Sequence, residues 1–421
     1  MTNHKEHFLT EVMQYIKSKE AKEVVYKELS YHLKMSKSEL VSKGANENEA
    51  EEKAIKQMGS PAELGTHFNK LYRPVFDWKL FGLFLIIISM GILPIINVQD
   101  VYSQNLMIRQ LMFIAMGIIV TVTVMLIDYR KIKKLGWLSL IVAFGLLLAF
   151  NYFPSFRING VGYLEIAGFI ISVRVVLPLL LVFWACYMSK EKPKLLVVFI
   201  VFLLSVFLFM RLPSLTDVFI YSIMVLTLFL SCSISKKAKF TTIGVSFGLF
   251  LTFVVLLWFT TEEYQWVRLL AFLNPEDYAQ DAGYMYLMLK DFIKSGGWFG
   301  NQEAVNPIPD LTTDMVFANI TYFYGWLVAA FLLVLLSLLL FRMIVLSIQI
   351  KDRFGKQLIL GVCSLLSIQF VYNVGMILGL LPIISMSLPF ISYGLTPTVL
   401  NSLLIGIVLS VYRRKNIALK I

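Results

Sequence analysis

The 421-residue chain is 58% hydrophobic and only 15% charged, with a mean hydropathy of +0.73. A soluble globular chain is nearer half apolar and a quarter charged, so this balance excludes an ordinary soluble enzyme and implies long lipid-facing helices. The formal charge of +11 comes from short basic clusters between apolar runs, not from a basic stripe with interleaved aromatics, which excludes nucleic acid as the partner.

Residues 1–72 read as a small soluble helical domain. Phe8, Val12, Tyr15 and Ile16, then Val24, Val25, Leu29 and Leu33, recur at helical spacing. Asn46 with Glu49 three residues on has the pattern of an N-cap and capping box, and Gly59-Ser60-Pro61 closes that helix. A short fourth helix follows through Leu64 and Phe68. The opening residues are polar and lack an apolar core, so no cleaved signal peptide is expected and the first apolar run acts as a signal-anchor. Asn48-Glu49-Ala50 and the stretch from Met58 to Gly65 resemble the small helical prefix domain found before some bacterial permeases and membrane-bound regulators, which would make residues 1–72 a docking or regulatory module; a generic helical bundle is the equal alternative.

From Leu80 onward the apolar runs predict about ten transmembrane helices, near 80–98, 109–127, 136–153, 169–188, 195–212, 215–233, 240–259, 322–347, 357–381 and 393–412. The expected fold is therefore all-α: a polytopic membrane domain over 77–421 behind the soluble helical domain. Basic residues mark every second connection: Arg130 to Lys134, then Lys190, Lys192 and Lys194, then Lys236, Lys237 and Lys239, then Lys351, Arg353 and Lys356, and finally Arg413 to Lys415. By the positive-inside rule these loops and both termini are expected in the cytoplasm.

The long connection at 260–311 is then expected outside. It carries eight acidic and three basic residues, a local charge of about −5. Its many apolar residues favour an ordered segment with an amphipathic helix near 283–294. Cys186, Cys232 and Cys363 stand alone, and all four histidines lie in the N-terminal part. Neither a disulfide framework nor a metal site is implied. Chemistry in the membrane part falls to carboxylates, Lys, Arg or Tyr. Asp277 and Asp281 stand four apart in the long connection, where paired carboxylates can divide acid and base roles or simply form a solvated acidic loop. Asp217 reads as a solvated acid at a helix start. Asp314 reads equally as a functional group and as part of an N-cap cluster with Thr312 and Thr313.

The run Asn373-Val-Gly-Met-Ile-Leu-Gly-Leu-Leu-Pro382, then Leu388-Pro-Phe-Ile-Ser-Tyr-Gly394, then Asn401 and Gly406, resembles the signature of the FtsW/RodA/SpoVE (SEDS) family. Arg268 to Glu276, Ala282-Gly-Tyr284, Ser295-Gly-Gly297, Phe299-Gly300, Thr313 to Ala318, Arg109-Gln110 and Ile127 to Arg130 carry the resemblance upstream. It implies a peptidoglycan glycosyltransferase polymerising lipid II at the outer face of the bacterial cytoplasmic membrane, in cell division, elongation or shape control, beside a class B penicillin-binding protein transpeptidase. Asp277 or Asp281 would be the general base. Arg109, Arg268, Asp314, Tyr284, Ser392 and Tyr393 would bind the polyprenyl-diphosphate sugar among membrane lipids. No cofactor is implied, and a divalent cation is left open.

The resemblance has departures. The family's catalytic Asp falls on Tyr278, and its Gln-Pro-Ser-Glu stretch reads Ser172-Val-Arg-Val175. The Lys that follows that stretch reads Pro178, and its Pro-Asp-Leu-Gly-Thr motif reads Pro213-Ser-Leu-Thr-Asp217. A non-catalytic homologue acting as a lipid-II-binding or regulatory scaffold is the second reading. A flippase or transporter is the third, though the chain has no internal repeat and few mid-helix charges.

Overall fold

The structure is a computed structural model. It describes residues 4–97, 105–158, 160–166, 168–242, 244, 263–301 and 308–416. The chain divides into two compact units, residues 1–77 with 412–421, and residues 78–411.

The first unit holds four helices, α1 (His4–Gln14), α2 (Lys19–Ser42), α3 (Glu47–Met58) and α4 (Pro61–Leu71). Phe8, Leu9, Val12, Ile16, Val25, Leu29 and Leu33 form its core. The apolar spacing along α1 and α2 places these side chains on one face of each helix. Ser18 caps α2 by accepting from the Ala21 N–H at 3.3 Å. Asn46 occupies the N-cap place of α3 in extended conformation, but its side chain makes no capping hydrogen bond.

Residues 412–416 belong to the same unit. Val75 N–H donates to Arg413 O at 3.1 Å. Arg414 is only 1% exposed, and its Nε and Nη2 donate to Glu20 Oε2 and Oε1 at 2.9 and 2.7 Å. A planar guanidinium meeting both carboxylate oxygens is a strong geometry for a buried ion pair. Arg414→Met leaves Glu20 without this partner and is expected to cost about 3 kcal/mol. Faster amide hydrogen exchange along α2, with the second unit's exchange unchanged, is the readout.

The second unit begins with α5 (Trp78–Met90), the short α6 (Leu93–Ile96), α7 (Leu106–Leu126) and α8 (Gly136–Tyr152). Next come α9 (Val176–Met188), α10 (Leu195–Met210) and α11 (Leu215–Ser231), then α12 (Glu263–Leu273) and α13 (Tyr284–Ser295). The unit closes with α14 (Val316–Gln349), α15 (Arg353–Ile377) and α16 (Leu395–Arg413). Among the described residues six helical segments are long and apolar enough to cross a membrane, with three shorter apolar ones. The expected helix at 240–259 lies outside the described residues apart from 240–242 and 244. The expected amphipathic helix near 283–294 is α13.

The fourth expected helix, at 169–188, needs correcting. It begins only at Val176, and the residues before it form a three-stranded antiparallel meander of β1 (Phe156–Ile158), β2 (Val161–Ile166) and β3 (Phe169–Ile171). Tyr163 pairs with Phe156 and Ile170 with Glu165. The β-branched and aromatic content of this stretch suits strands, and Gly160 and Gly168, at φ +82° and +78°, make the two reversals.

Nearly every residue of α9 is buried, and α15 packs against α9, α11 and α14. Small residues let α7 and α16 approach closely: a Cβ added to Gly117 would press on Ser402, and one added to Gly406 on Thr121 and Val124. Thr121 Oγ1 donates to Ser402 O across this seam at 2.8 Å.

The helix α14 runs 34 residues but breaks at Gly325, at φ +80° and ψ 171°. A break frees backbone N–H groups that hydrocarbon cannot satisfy. Here the turn after α13 supplies the acceptors: Trp326 N–H donates to Gly297 O at 3.0 Å and Leu327 N–H to Trp298 O at 3.3 Å. In return, Asn301 N–H donates to Tyr322 O at 2.7 Å. Such backbone contact demands glycine, because a Cβ on Gly296, Gly300 or Gly325 would run into the main chain of Thr321, Phe323 or Trp298. Gly300→Ala, with φ at +93° as well, is expected to cost more than about 2 kcal/mol. Gly297→Ala, also at positive φ but with open space around it, is expected to cost about 1 kcal/mol. Thermal unfolding of the two variants in detergent checks the ranking.

Candidate active site

The loop between α15 and α16 carries most of the sequence signature. Asn373, fully buried on α15, donates through Nδ2 to Asp314 O at 2.7 Å and Met386 O at 2.5 Å. Ser392 Oγ donates to Thr313 O at 2.6 Å and accepts from Leu388 N–H at 2.8 Å. Tyr393 N–H donates to Thr312 O at 2.8 Å, and its ring packs against Phe113. The signature loop and the turn at 312–314 are thereby laced together. Phe390 takes a left-handed φ of +68°, sparsely populated for a side chain of that size, and its burial against Phe84 holds it there. Ser392 thus serves the backbone, and its hydroxyl is buried.

Beside this loop lies a charged cluster. Arg174, in the turn before α9, donates to Ser385 O at 2.7 Å and to Ser387 Oγ at 3.3 Å. Its Nε lies 3.4 Å from Asp217 Oδ1, an ionic contact outside hydrogen-bond geometry. Asp217 is buried at the start of α11 and accepts a short hydrogen bond from the Ser214 hydroxyl. Asp314 Oδ2 accepts from Ser385 Oγ at 2.7 Å. Burial pushes the Asp314 carboxyl above its ordinary range, while the Arg174 guanidinium and the Ser385 hydroxyl hold it down. Asp217 is thus not the solvated helix-start acid that the sequence suggests.

Arg174 and Asp217 are two of the positions where the chain departs from the family pattern. Position alone could not show that they meet, because they stand 43 positions apart with two helices, α9 and α10, between them. Arg174→Met strands a buried carboxylate and is expected to destabilise by about 3 kcal/mol. Adding Asp217→Asn is expected to return at least half of that loss. The coupling from a double-mutant cycle of thermal unfolding reads it out.

A groove of about 660 Å³ opens beneath α12 and α13. Its acidic edge is Glu276 and Asp277 in the 3-10 turn Pro275–Tyr278, and Lys290 and Tyr286 face it from α13. Met376, Ile377, Leu378 and Gly379 of the signature form its opposite wall. Tyr286 ties the two walls together by accepting from Ile383 N–H at 3.0 Å. The turn is held by Gly283, whose N–H donates to Tyr278 O at 3.0 Å and whose missing Cβ leaves room for Pro275 O.

The sequence-derived residues therefore separate. Asp277 lines the groove, whereas Asp281 is exposed one turn further on and Tyr278 is half-buried away from the groove lining. Arg109 is exposed in the first turn of α7, Arg268 on α12 and Tyr284 at the start of α13. Asp314, Ser392 and Tyr393 belong to the laced loop. Sequence reasoning missed Tyr286 and Lys290 as groove residues. Their spacing of four on a helix was the available signal.

Among the described residues, six helical segments long and apolar enough to cross a membrane define a multi-pass helical membrane protein. The chain belongs to the FtsW/RodA/SpoVE family of cell cycle proteins, whose profile matches residues 71–417. It is similar to the protein named "Probable peptidoglycan glycosyltransferase FtsW" of Saccharophagus degradans, 26% identical over 76% of this chain and 87% of that one. It is also similar to stage V sporulation protein E of Bacillus subtilis, 24% identical over 80% and 97%. Among solved structures, a chain from a study of the coordination of polymerization and crosslinking by a peptidoglycan synthase complex aligns with a TM-score of 0.70. It is 22% identical and covers 81% of this chain and 98% of that one. The rod shape determining protein RodA of Thermus thermophilus aligns with a TM-score of 0.59 at 20% identity over the same shares.

Proposed function

We propose that this protein is a peptidoglycan glycosyltransferase that extends glycan strands from lipid II at the outer face of the cytoplasmic membrane, with both termini in the cytoplasm. The observation that carries the reading is the groove edged by Asp277 and walled by the family signature. The names of the relatives support the same chemistry. In this reaction the Asp277 carboxylate takes the proton from the acceptor sugar hydroxyl as that oxygen attacks the anomeric carbon of the donor. The bond from that carbon to the diphosphate oxygen breaks, and the polyprenyl diphosphate leaves. Lys290 at the groove supplies positive charge for the diphosphate. The Arg174 cluster holds the signature loop in place and takes no proton in this scheme.

The partner is a class B penicillin-binding protein transpeptidase, a reading supported by the similarity to a chain of a peptidoglycan synthase complex. Residues 1–72 are read as a docking module and 260–311 as the outer segment of the membrane domain. Tyr278, standing where the family's Asp falls, favours a second reading in which the protein binds lipid II without turnover. Polymerisation of lipid II by the purified protein with its transpeptidase partner separates the two. Asp277→Asn is expected to lower the rate at least about 100-fold with lipid II binding retained, and Asp281→Asn less than about tenfold. Binding without any turnover by the unmodified protein establishes the scaffold reading. Full activity in a doubly substituted Asp277→Ala, Asp281→Ala protein removes both carboxylates from the mechanism.

A further inference from the structure

The turn that repairs the break in α14 carries two largely exposed aromatic side chains. Trp298 is 69% exposed and Phe299 85% exposed. Their backbone is fixed by the bonds to Trp326, Leu327 and Tyr322 described above, so they are held rigidly beside the broken helix.

The length of α14 says where that is. From Trp326 to Gln349 the helix rises about 36 Å at about 1.5 Å per residue, slightly more than the ~30 Å of bilayer hydrocarbon. That stretch alone is long enough to cross the hydrocarbon, which would set the break at Gly325 near its boundary. The nine residues before it project beyond. Below the break, Leu327, Phe331, Val334 and Leu338 form an exposed apolar stripe, whose first residue, Leu327, is the one hydrogen-bonded through its backbone to Trp298. Tryptophan is enriched at this level, where its ring suits the headgroup layer. Trp78, the first residue of α5, and Phe153, just after α8, are similarly exposed at the ends of segments long and apolar enough to cross a membrane.

We infer that Trp298 and Phe299 insert into the lipid at the headgroup–acyl boundary and seat the 284–301 segment on the bilayer. The segment so anchored includes α13, which carries Tyr286 and Lys290 into the groove. The roof of the groove is therefore referenced to the membrane surface as well as to the protein. This inference deepens the proposed function, but its test reads lipid contact and not turnover.

The test places a nitroxide spin label at Phe299→Cys in a protein carrying Cys186→Ser, Cys232→Ser and Cys363→Ser, the three free cysteines. The protein is reconstituted in nanodiscs of phosphatidylcholine and phosphatidylglycerol. Collisional access to oxygen and to a water-soluble nickel chelate gives depth, with Gln280→Cys as the exposed reference and Phe331→Cys as the lipid reference. At position 299 the oxygen-to-nickel ratio is expected to exceed that at 280 at least threefold and to approach that at 331. A ratio equal to that at 280 overturns the inference. So does low access to both reagents, the signature of a protein partner over the pair. If the substituted background fails to fold, a benzophenone amino acid at Trp298 in the otherwise native chain gives a second readout. A phospholipid adduct by mass spectrometry supports lipid insertion, and an adduct only to protein overturns it.

Discussion

In hydrocarbon every backbone N–H and C=O must find its partner within the protein. The second unit departs from regular helix at Gly325 and in the signature loop, and at both places it supplies partners from elsewhere in the chain. At Gly325 they come from the turn after α13. Around the signature loop they come from Asn373, Ser392 and the 312–314 turn. The irregular segments are thus as tightly specified as the helices, and the groove sits between them. A site for a sugar needs polar, shaped walls, which helices packed through apolar faces do not provide.

The charged cluster follows the same logic in electrostatic form. A buried Asp217 is tolerable because Arg174 and Ser214 face it, and Arg174 is in turn held by Ser385 and Ser387. Judged residue by residue against the family pattern, this chain has lost charges. Judged in space, it has exchanged one arrangement for another that is internally paired. The cluster lies apart from the groove that carries Asp277, so the departures bear on how the signature loop is held more than on which carboxylate takes a proton.

Much of the architecture was legible because it rests on long-range periodicity. The apolar runs reported the membrane-spanning helices, and the spacing from Tyr284 to Ser295 reported an amphipathic helix. Of the meander at 156–171 only β3, Phe169–Ile171, falls inside the helix expected at 169–188, because three apolar residues in a row do not distinguish a short strand from the first turn of a helix. The early start of α14 was missed for a related reason: Val316 to Tyr324 is apolar enough to be helix, but the glycine that divides the helix is visible only as one residue. In the site, Asp277 and Asp281 could be named together as candidates from the eight acids of the long connection, and only the fold shows that Asp277 is the one lining the groove. The pairing of Arg174 with Asp217 could not, since nothing local links two residues brought together only by the packing of α9 and α11.

The ion pair between Glu20 and Arg414 joins residues 394 positions apart. During synthesis Glu20 emerges first, and its guanidinium partner appears only after all the apolar segments have been made and inserted. The small unit therefore cannot reach its final packing until the membrane portion is complete. A chain that stalls in the membrane leaves Glu20 without its guanidinium partner.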